Sequence, residues 1–271
     1  MKLQAALFGF LIAGFIAVAG DEPKIGYETD YGVITNLAVD LHGSLPGKLR
    51  TRVHAPTLLT TDTAPVLKPC DLADGTNILH TVSVSAGFVD FATRLSHARA
   101  IDQWDRGFLK KYLAQLSQET GATALKDLER PASKRLWSDS TMNAQMSQFN
   151  QMAGTLVAIE MAHHYLGHYR KYAAQLTGPD GRPVPINSLL TAQEWHDSVM
   201  AGAENGLECG LSVEGVKFVF DCIDRMETRP AWTAYFLPAV TKVSKIKRDL
   251  DRLEKDYFDT SDGKTTLLGR Q

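Results

Sequence analysis

The chain has 271 residues, with 29 Lys and Arg against 31 Asp and Glu, for a formal charge of −2. That length suits one large domain or two small ones with a substantial core. The near balance of charge supplies no global field for nucleic acid or an acidic membrane surface.

Residues 1–20, MKLQAALFGFLIAGFIAVAG, read as a secretory signal peptide: one Lys, an apolar run, then the small residues Ala17, Ala19 and Gly20 before Asp21. They predict a secreted or periplasmic protein. No later stretch is apolar for long enough to cross a bilayer. Three cysteines follow, Cys70, Cys209 and Cys222. An oxidising compartment permits one disulfide among them, and the sequence leaves open both the pairing and three free thiols.

Residues 21–75 form an extended N-terminal segment rich in Pro, Gly and Thr, with β-like runs at GVITNLAV and RTRVHA and breaks at Pro56, Pro65 and Pro69. His42 and His54, isolated in this segment, carry no assigned role. The main domain spans 76–258. It opens with alternation in ILHTVSVSA, a strand signal. After Gly87 the spacing becomes helical: Phe88, Phe91, Leu95, Ala98 and Ile101 share a face, with His97 inside the same helix. GFLKKYLAQLSQ is a further helix, ending near Gly121. From Ser140 a Pro-free stretch rich in Ala, Met and Leu predicts one long helix, or two with a break near Gly154, running to the turn at 178–185.

Thr191 with Glu194 fits a capping box at the start of the next helix. Gly202, Gly206 and Gly210 recur every four residues and predict a smooth stripe that another helix can approach closely. A break at 210–215 separates VEGVKFVFDCIDRM. VSKIKRDLDRLEKDYF is an amphipathic helix with Ile246, Leu250, Leu253 and Tyr257 on one face. Its alternating charges form a solvated, ion-paired surface rather than a nucleic-acid or membrane surface. Residues 259–271 read as a disordered tail. The fold class is α+β, mainly α.

The chemistry concentrates in LVAIEMAHHYLGHYRKY, residues 156–172, which holds His163, His164 and His168. On a continuous helix His164 and His168 point from one face and offer two imidazoles to one metal. The third ligand would come from the following helix, where Glu194, His196, Asp197, Glu204 and Glu208 are candidates. Glu160 can share the face of His164. The pair Glu160 and His163 also fits the Glu-x-x-His motif of di-iron bundles, but no second copy exists. There is no phosphate loop, dinucleotide fingerprint or Gly-x-Ser-x-Gly elbow.

The pair HYLGH followed by ENGLECG resembles the gluzincin metallopeptidases of the HtpX, Oma and CAAX-prenyl-protease kind, over roughly residues 75–225. The resemblance implies a metallopeptidase-like helical core with a small edge sheet. It implies zinc held by His164, His168 and Glu204, and a substrate-binding edge strand in HTVSVSAGFVDF. Tyr165 stands where that family has its general-base Glu, and Leu207 and Glu208 stand where it has Ala and Asp. A tyrosine hydroxyl with a pKa near ~10 is a poor base at neutral pH, so Glu160 and Tyr165 are the candidate catalytic groups. Two functions follow as expectations. One is a zinc hydrolase of peptides with an altered base. The other is a catalytically inactive relative that binds a peptide or protein partner. A helical envelope protein without metal is the remaining reading.

Overall fold

The computed structural model describes residues 31–128 and 137–259. The signal segment 1–20 and the tail beyond 259 lie outside the described residues. The observed class is α+β, mainly α. Nine α-helices and three strands follow in the order α1 (Tyr31–Ser44), α2 (Gly47–Arg50), β1 (Thr57–Thr60), β2 (Leu67–Asp74), β3 (Asn77–Ser85), α3 (Ala86–Asp102), α4 (Phe108–Leu116), α5 (Asp139–Tyr165), α6 (His168–Tyr172), α7 (Ala192–Glu208), α8 (Glu214–Asp224) and α9 (Val243–Asp259) among the described residues.

α5 is the axis. Every residue from Met152 to Tyr165 is buried, the polar Thr155, Glu160, His163 and His164 with the apolar ones. It packs against α1, α3, α7 and α8. It does not break at Gly154, where an added Cβ would lie 2.5 Å from Leu211 Cδ1; the missing side chain makes room for Leu211. The glycine stripe on α7 divides by position. At Gly202 an added Cβ would meet the Cα and N of Ile159 at 2.6 Å, so α5 and α7 touch there backbone to backbone. Gly206 has ordinary clearance, and Gly210 lies beyond the helix at φ +76°. The capping box is formed: Thr191 Oγ1 accepts from the Glu194 amide at 3.2 Å, and the Glu194 carboxylate accepts from the Thr191 amide at 2.9 Å.

The sheet has the order β1-β3-β2, with β1 parallel and β2 antiparallel to β3. Its hairpin turn is Gly75-Thr76. Gly75 sits at φ +59°, the first loop position, where a two-residue hairpin favours glycine. The boundary expected at 75/76 therefore falls inside this turn. Pro69 is accommodated because β2 is an edge strand. The hairpin joins α3 through Ser85, whose Oγ accepts from the Phe88 amide at 2.9 Å.

The lead-in differs from its sequence reading. GVITNLAV lies within α1, with Ile34, Ala38 and Leu41 buried on one face. Packing against α5 outweighs the β preference of Val and Ile, a weak bias that tertiary context overrides. RTRVHA is the end of α2 and the turn after it. All three cysteines are free, with Cys222 buried. Among the described residues no helix is long and apolar enough to cross a membrane.

Candidate metal site

The site begins where α5 ends. The Leu166 amide still reaches back to the Ala162 carbonyl at 2.9 Å, but the Gly167 amide closes on the His164 carbonyl at 3.0 Å, and Gly167 adopts φ +81°. This is a left-handed glycine terminator, which satisfies the last carbonyls and turns the chain. α6 starts immediately after it. His164 and His168 therefore do not share a helical face, which corrects the expectation of a continuous zinc helix over 156–172. The Leu-Gly that fits a metallopeptidase motif acts here as a stop signal.

The two imidazoles part company. His168 Nδ1 lies 3.0 Å from Ser198 Oγ on α7 and 3.4 Å from His163 Nδ1. Ser198 Oγ is also 3.2 Å from His163 Nδ1 and donates to the Glu194 carbonyl at 2.8 Å. With its one proton so placed, the hydroxyl accepts from the imidazole N–H groups. His168 is thus tied into a buried polar network. Glu204 is buried on α7, and its charge adds to burial in raising the Tyr165 hydroxyl pKa. His164, His168 and Glu204 do not converge on one point.

The expected catalytic groups are enclosed as well. Glu160 has a carboxylate oxygen with no hydrogen-bond partner, 3.8 Å from His163 Nε2. Burial lifts its pKa well above the usual carboxylate range, which favours the uncharged acid inside the core. The Tyr165 hydroxyl is likewise buried without a partner. Neither group can exchange a proton with a substrate at the surface.

His164 turns the other way, towards the hairpin. Its Nε2 donates to the Thr81 carbonyl at 2.7 Å. That bond fixes the proton on Nε2 and leaves the Nδ1 lone pair to a ligand, the arrangement by which metal-binding histidines are usually held. Burial lowers the His164 pKa to about 4, against the opposing pull of the Thr81 carbonyl. The ring is therefore neutral at pH 7, as ligation requires. Facing it are Asp71 and His80, directly opposite each other on β2 and β3. His80 Nδ1 donates to Asp71 Oδ1 at 2.7 Å, and both side chains are about half exposed. The backbone of His80 is clasped by His54: the His80 amide donates to His54 Nδ1 at 3.0 Å, and the His54 amide to the His80 carbonyl at 2.7 Å.

Among the described residues one group of three metal-binding side chains converges. One donor atom each from Asp71, His80 and His164 lies within 4.8 Å of the others. Ligands at about 2.0–2.2 Å from a tetrahedral ion stand about 3.3 Å apart, so Asp71 and His80, both on the open side, close on His164 by up to about 1.5 Å to bind one. Two imidazoles and a carboxylate can hold a divalent transition ion and leave a position free. The negative end of α5, in whose last turn His164 sits, favours a cation there.

The group opens onto a cavity of about 560 Å³, lined also by Arg52, Tyr169 and Arg170. Arg52 Nη1 donates to the Tyr165 carbonyl at 3.1 Å and so covers the end of α5. The Tyr169 ring lies against His164, with centroids 4.7 Å apart. Burial raises the Tyr169 hydroxyl pKa, partly opposed by a hydrogen bond from the Asp71 backbone.

No protein-family model, no curated protein and no solved structure matches the chain. Of the three converging residues, His164 was among the expected ligands, whereas Asp71 and His80 were not. The signal that points to them is Asp74-Gly75-Thr76, a tight-turn sequence between two strand-like runs. Once that turn sets the register, Asp71 and His80 become cross-strand neighbours.

Proposed function

We propose that the protein binds zinc, or a divalent ion of similar preference, at Asp71, His80 and His164, and that the site hydrolyses a substrate held in the adjoining cavity. The observation that carries this reading is the convergence of those three donors, with the His164 proton already committed to Thr81. Zinc in a three-ligand site supplies an activated water near neutral pH. The chain's own part is to hold the ion, with Thr81 orienting His164 and His54 steadying the His80 backbone. Tyr169, whose ring lies against His164, offers a hydroxyl that can donate a hydrogen bond to a reacting oxygen.

In favour of kinship with the gluzincin metallopeptidases is the succession of a strand, a histidine-bearing helix and a carboxylate-bearing helix, although α3 and α4 stand between the first two and α6 between the last two. Against an unmodified form of their chemistry stand the break at Gly167 and the seclusion of Glu160 and Tyr165. Export, as the first twenty residues suggest, belongs to the same proposal. A second reading is favoured by one observation: among the described residues no carboxylate lines the cavity besides Asp71, which would be a ligand. A protein that binds metal and a peptide or partner without cleaving it would have this composition.

Zinc stoichiometry and affinity, measured on wild type and on His80→Ala, Asp71→Ala, His164→Ala and His168→Ala, test the site. Wild type is expected to bind one equivalent, the first three variants to lose it and the last to keep it. A wild type without stoichiometric zinc, or a loss confined to His168→Ala, refutes the assignment. Hydrolysis of a fluorogenic peptide mixture by the loaded wild type, absent in His80→Ala, separates the catalytic reading from the silent one.

A further inference from the structure

We infer that the substrate presents an oxyanion, a phosphate or a terminal carboxylate, to Arg52 and Arg170 beside the metal ligands; this rests on the metal reading of Asp71, His80 and His164.

Arg52 and Arg170, both exposed, line the same cavity as His164, Asp71 and His80. Among the described residues neither has a carboxylate within the 4.0 Å of an ion pair, whereas Arg94 and Arg229, elsewhere on the surface, are paired with Asp127 and Asp224. A cavity of about 560 Å³ is thus lined by two arginines that have no ion-pair partner among the described residues. Its one lining carboxylate among the described residues, Asp71, is taken up by the hairpin histidine and would be outweighed by a bound divalent ion. The local excess is positive, and it sits in a concave site that can focus it.

The placement of Arg52 sharpens the argument. A helix C-terminus normally repels anions, because its last carbonyls carry partial negative charge. Arg52 covers one of those carbonyls, that of Tyr165, with a single Nη1 donor at 3.1 Å. That contact anchors the guanidinium at the mouth of the site and shields the helix end. The remaining N–H groups of the fork stay available, and a planar fork matches a carboxylate or phosphate edge in a two-bond geometry. Arg170, on α6 just past the Gly167 turn, supplies the second cation. The cavity then has two adjacent stations: a metal position for the bond to be broken and an arginine position for a charged end. A substrate with its scissile bond next to a terminal oxyanion fits both. A substrate without one leaves the arginines idle.

The test uses the zinc-loaded full-length chain. Inorganic phosphate and N-acetylglycine, as the phosphate and carboxylate probes, are titrated calorimetrically into wild type, Arg52→Gln, Arg170→Gln and the double variant. Glutamine at position 52 keeps a donor for the Tyr165 carbonyl, so the helix end stays covered. Zinc stoichiometry is measured in the same samples. At least one probe is expected to bind wild type, and each single variant to weaken that probe about tenfold with zinc content unchanged. The probe that binds more tightly identifies the source of the oxyanion. Stoichiometric zinc with no binding of either probe, or with equal affinities in wild type and double variant, overturns this inference and leaves the metal site standing. Failure of wild type to bind zinc overturns the metal reading, and the oxyanion site with it.

Discussion

The contact of α7 with α5 at Gly202 makes a quantitative claim. Replacing Gly202 by Ala sets a methyl carbon 2.6 Å from both the N and the Cα of Ile159 and 2.7 Å from its Cγ1. Carbon–carbon contacts are favourable at about 3.5–4.0 Å. The helices must therefore separate locally by about 1 Å, since a backbone atom cannot rotate away. Overpacking of this kind costs about 1–3 kcal/mol, here at the upper end, while Ala in a helix gains about 1 kcal/mol over Gly. The net loss is about 2 kcal/mol. Gly206, one turn on, is the internal control. Its added Cβ meets only Thr155 Oγ1 at 3.5 Å and Leu211 atoms at 3.7 and 3.8 Å, all ordinary contacts. Gly206→Ala should gain about 1 kcal/mol from helix preference alone. The two variants should differ by about 3 kcal/mol, or about 6–12 °C in Tm for a domain of this size. Thermal unfolding followed by circular dichroism, with urea titration to check the slope, measures both. Equal effects within about 0.5 kcal/mol would refute the close approach, because the two substitutions share every property except what the methyl group meets.

Three further outcomes are expected. Glu160→Gln should stabilise the protein at pH 7 and do nothing at pH 4. Burial raises the folded pKa of Glu160, so its folded state is favoured below the unfolded pKa of about 4.3 and penalised progressively as pH rises towards the folded value; an unchanged urea midpoint at pH 7 would contradict this. His163 acts in the opposite sense. Burial, then the charges of His168 and His164, hold its pKa at about 3, so stability present above pH 6.5 is lost as pH falls, by about 1.4 kcal/mol per pH unit below that point. His163→Asn, which keeps a donor for Ser198, should flatten the acid limb of the stability curve measured in chelator. Gly167→Ala should cost about 1–2 kcal/mol, the penalty of a side chain in the left-handed region, with zinc affinity falling more than in Gly181→Ala, a like change at φ +76° in a turn remote from the site; zinc affinity indifferent to both would detach the turn from the site.

Much of the scaffold was legible in local chemistry. The Thr191 capping box, the strand at 77–85, the α3 periodicity and the amphipathic α9 follow from side-chain spacing and hydrogen-bonding capacity alone. The close approach at Gly202 was legible as a small-residue stripe, though only its first member makes it. What failed needed information from elsewhere in the chain. GVITNLAV is helical because Ile34, Ala38 and Leu41 meet a buried partner. Gly167 carries two meanings, motif position and helix stop, and only its φ of +81° decides between them. His164 was legible as a candidate ligand from its helix. Its partners were not, because Asp71 and His80 are brought together by a strand register that no helical spacing encodes.

The division of the three donors between a hairpin and a helix end has a mechanical consequence. Asp71 and His80 ride on a two-stranded ribbon whose outer strand is an open edge, and Ile78 near its tip is largely exposed. His164 belongs to the most deeply enclosed helix in the molecule. An ion shared by the three is a clasp between the end of an edge hairpin and a helix enclosed by its neighbours. Amide hydrogens of β2 and β3 should exchange with solvent slowly when the clasp is closed and quickly when a chelator opens it, while those of α7 and α8 report no difference. The sheet edge, fastened or loose, then becomes a readout of metal supply.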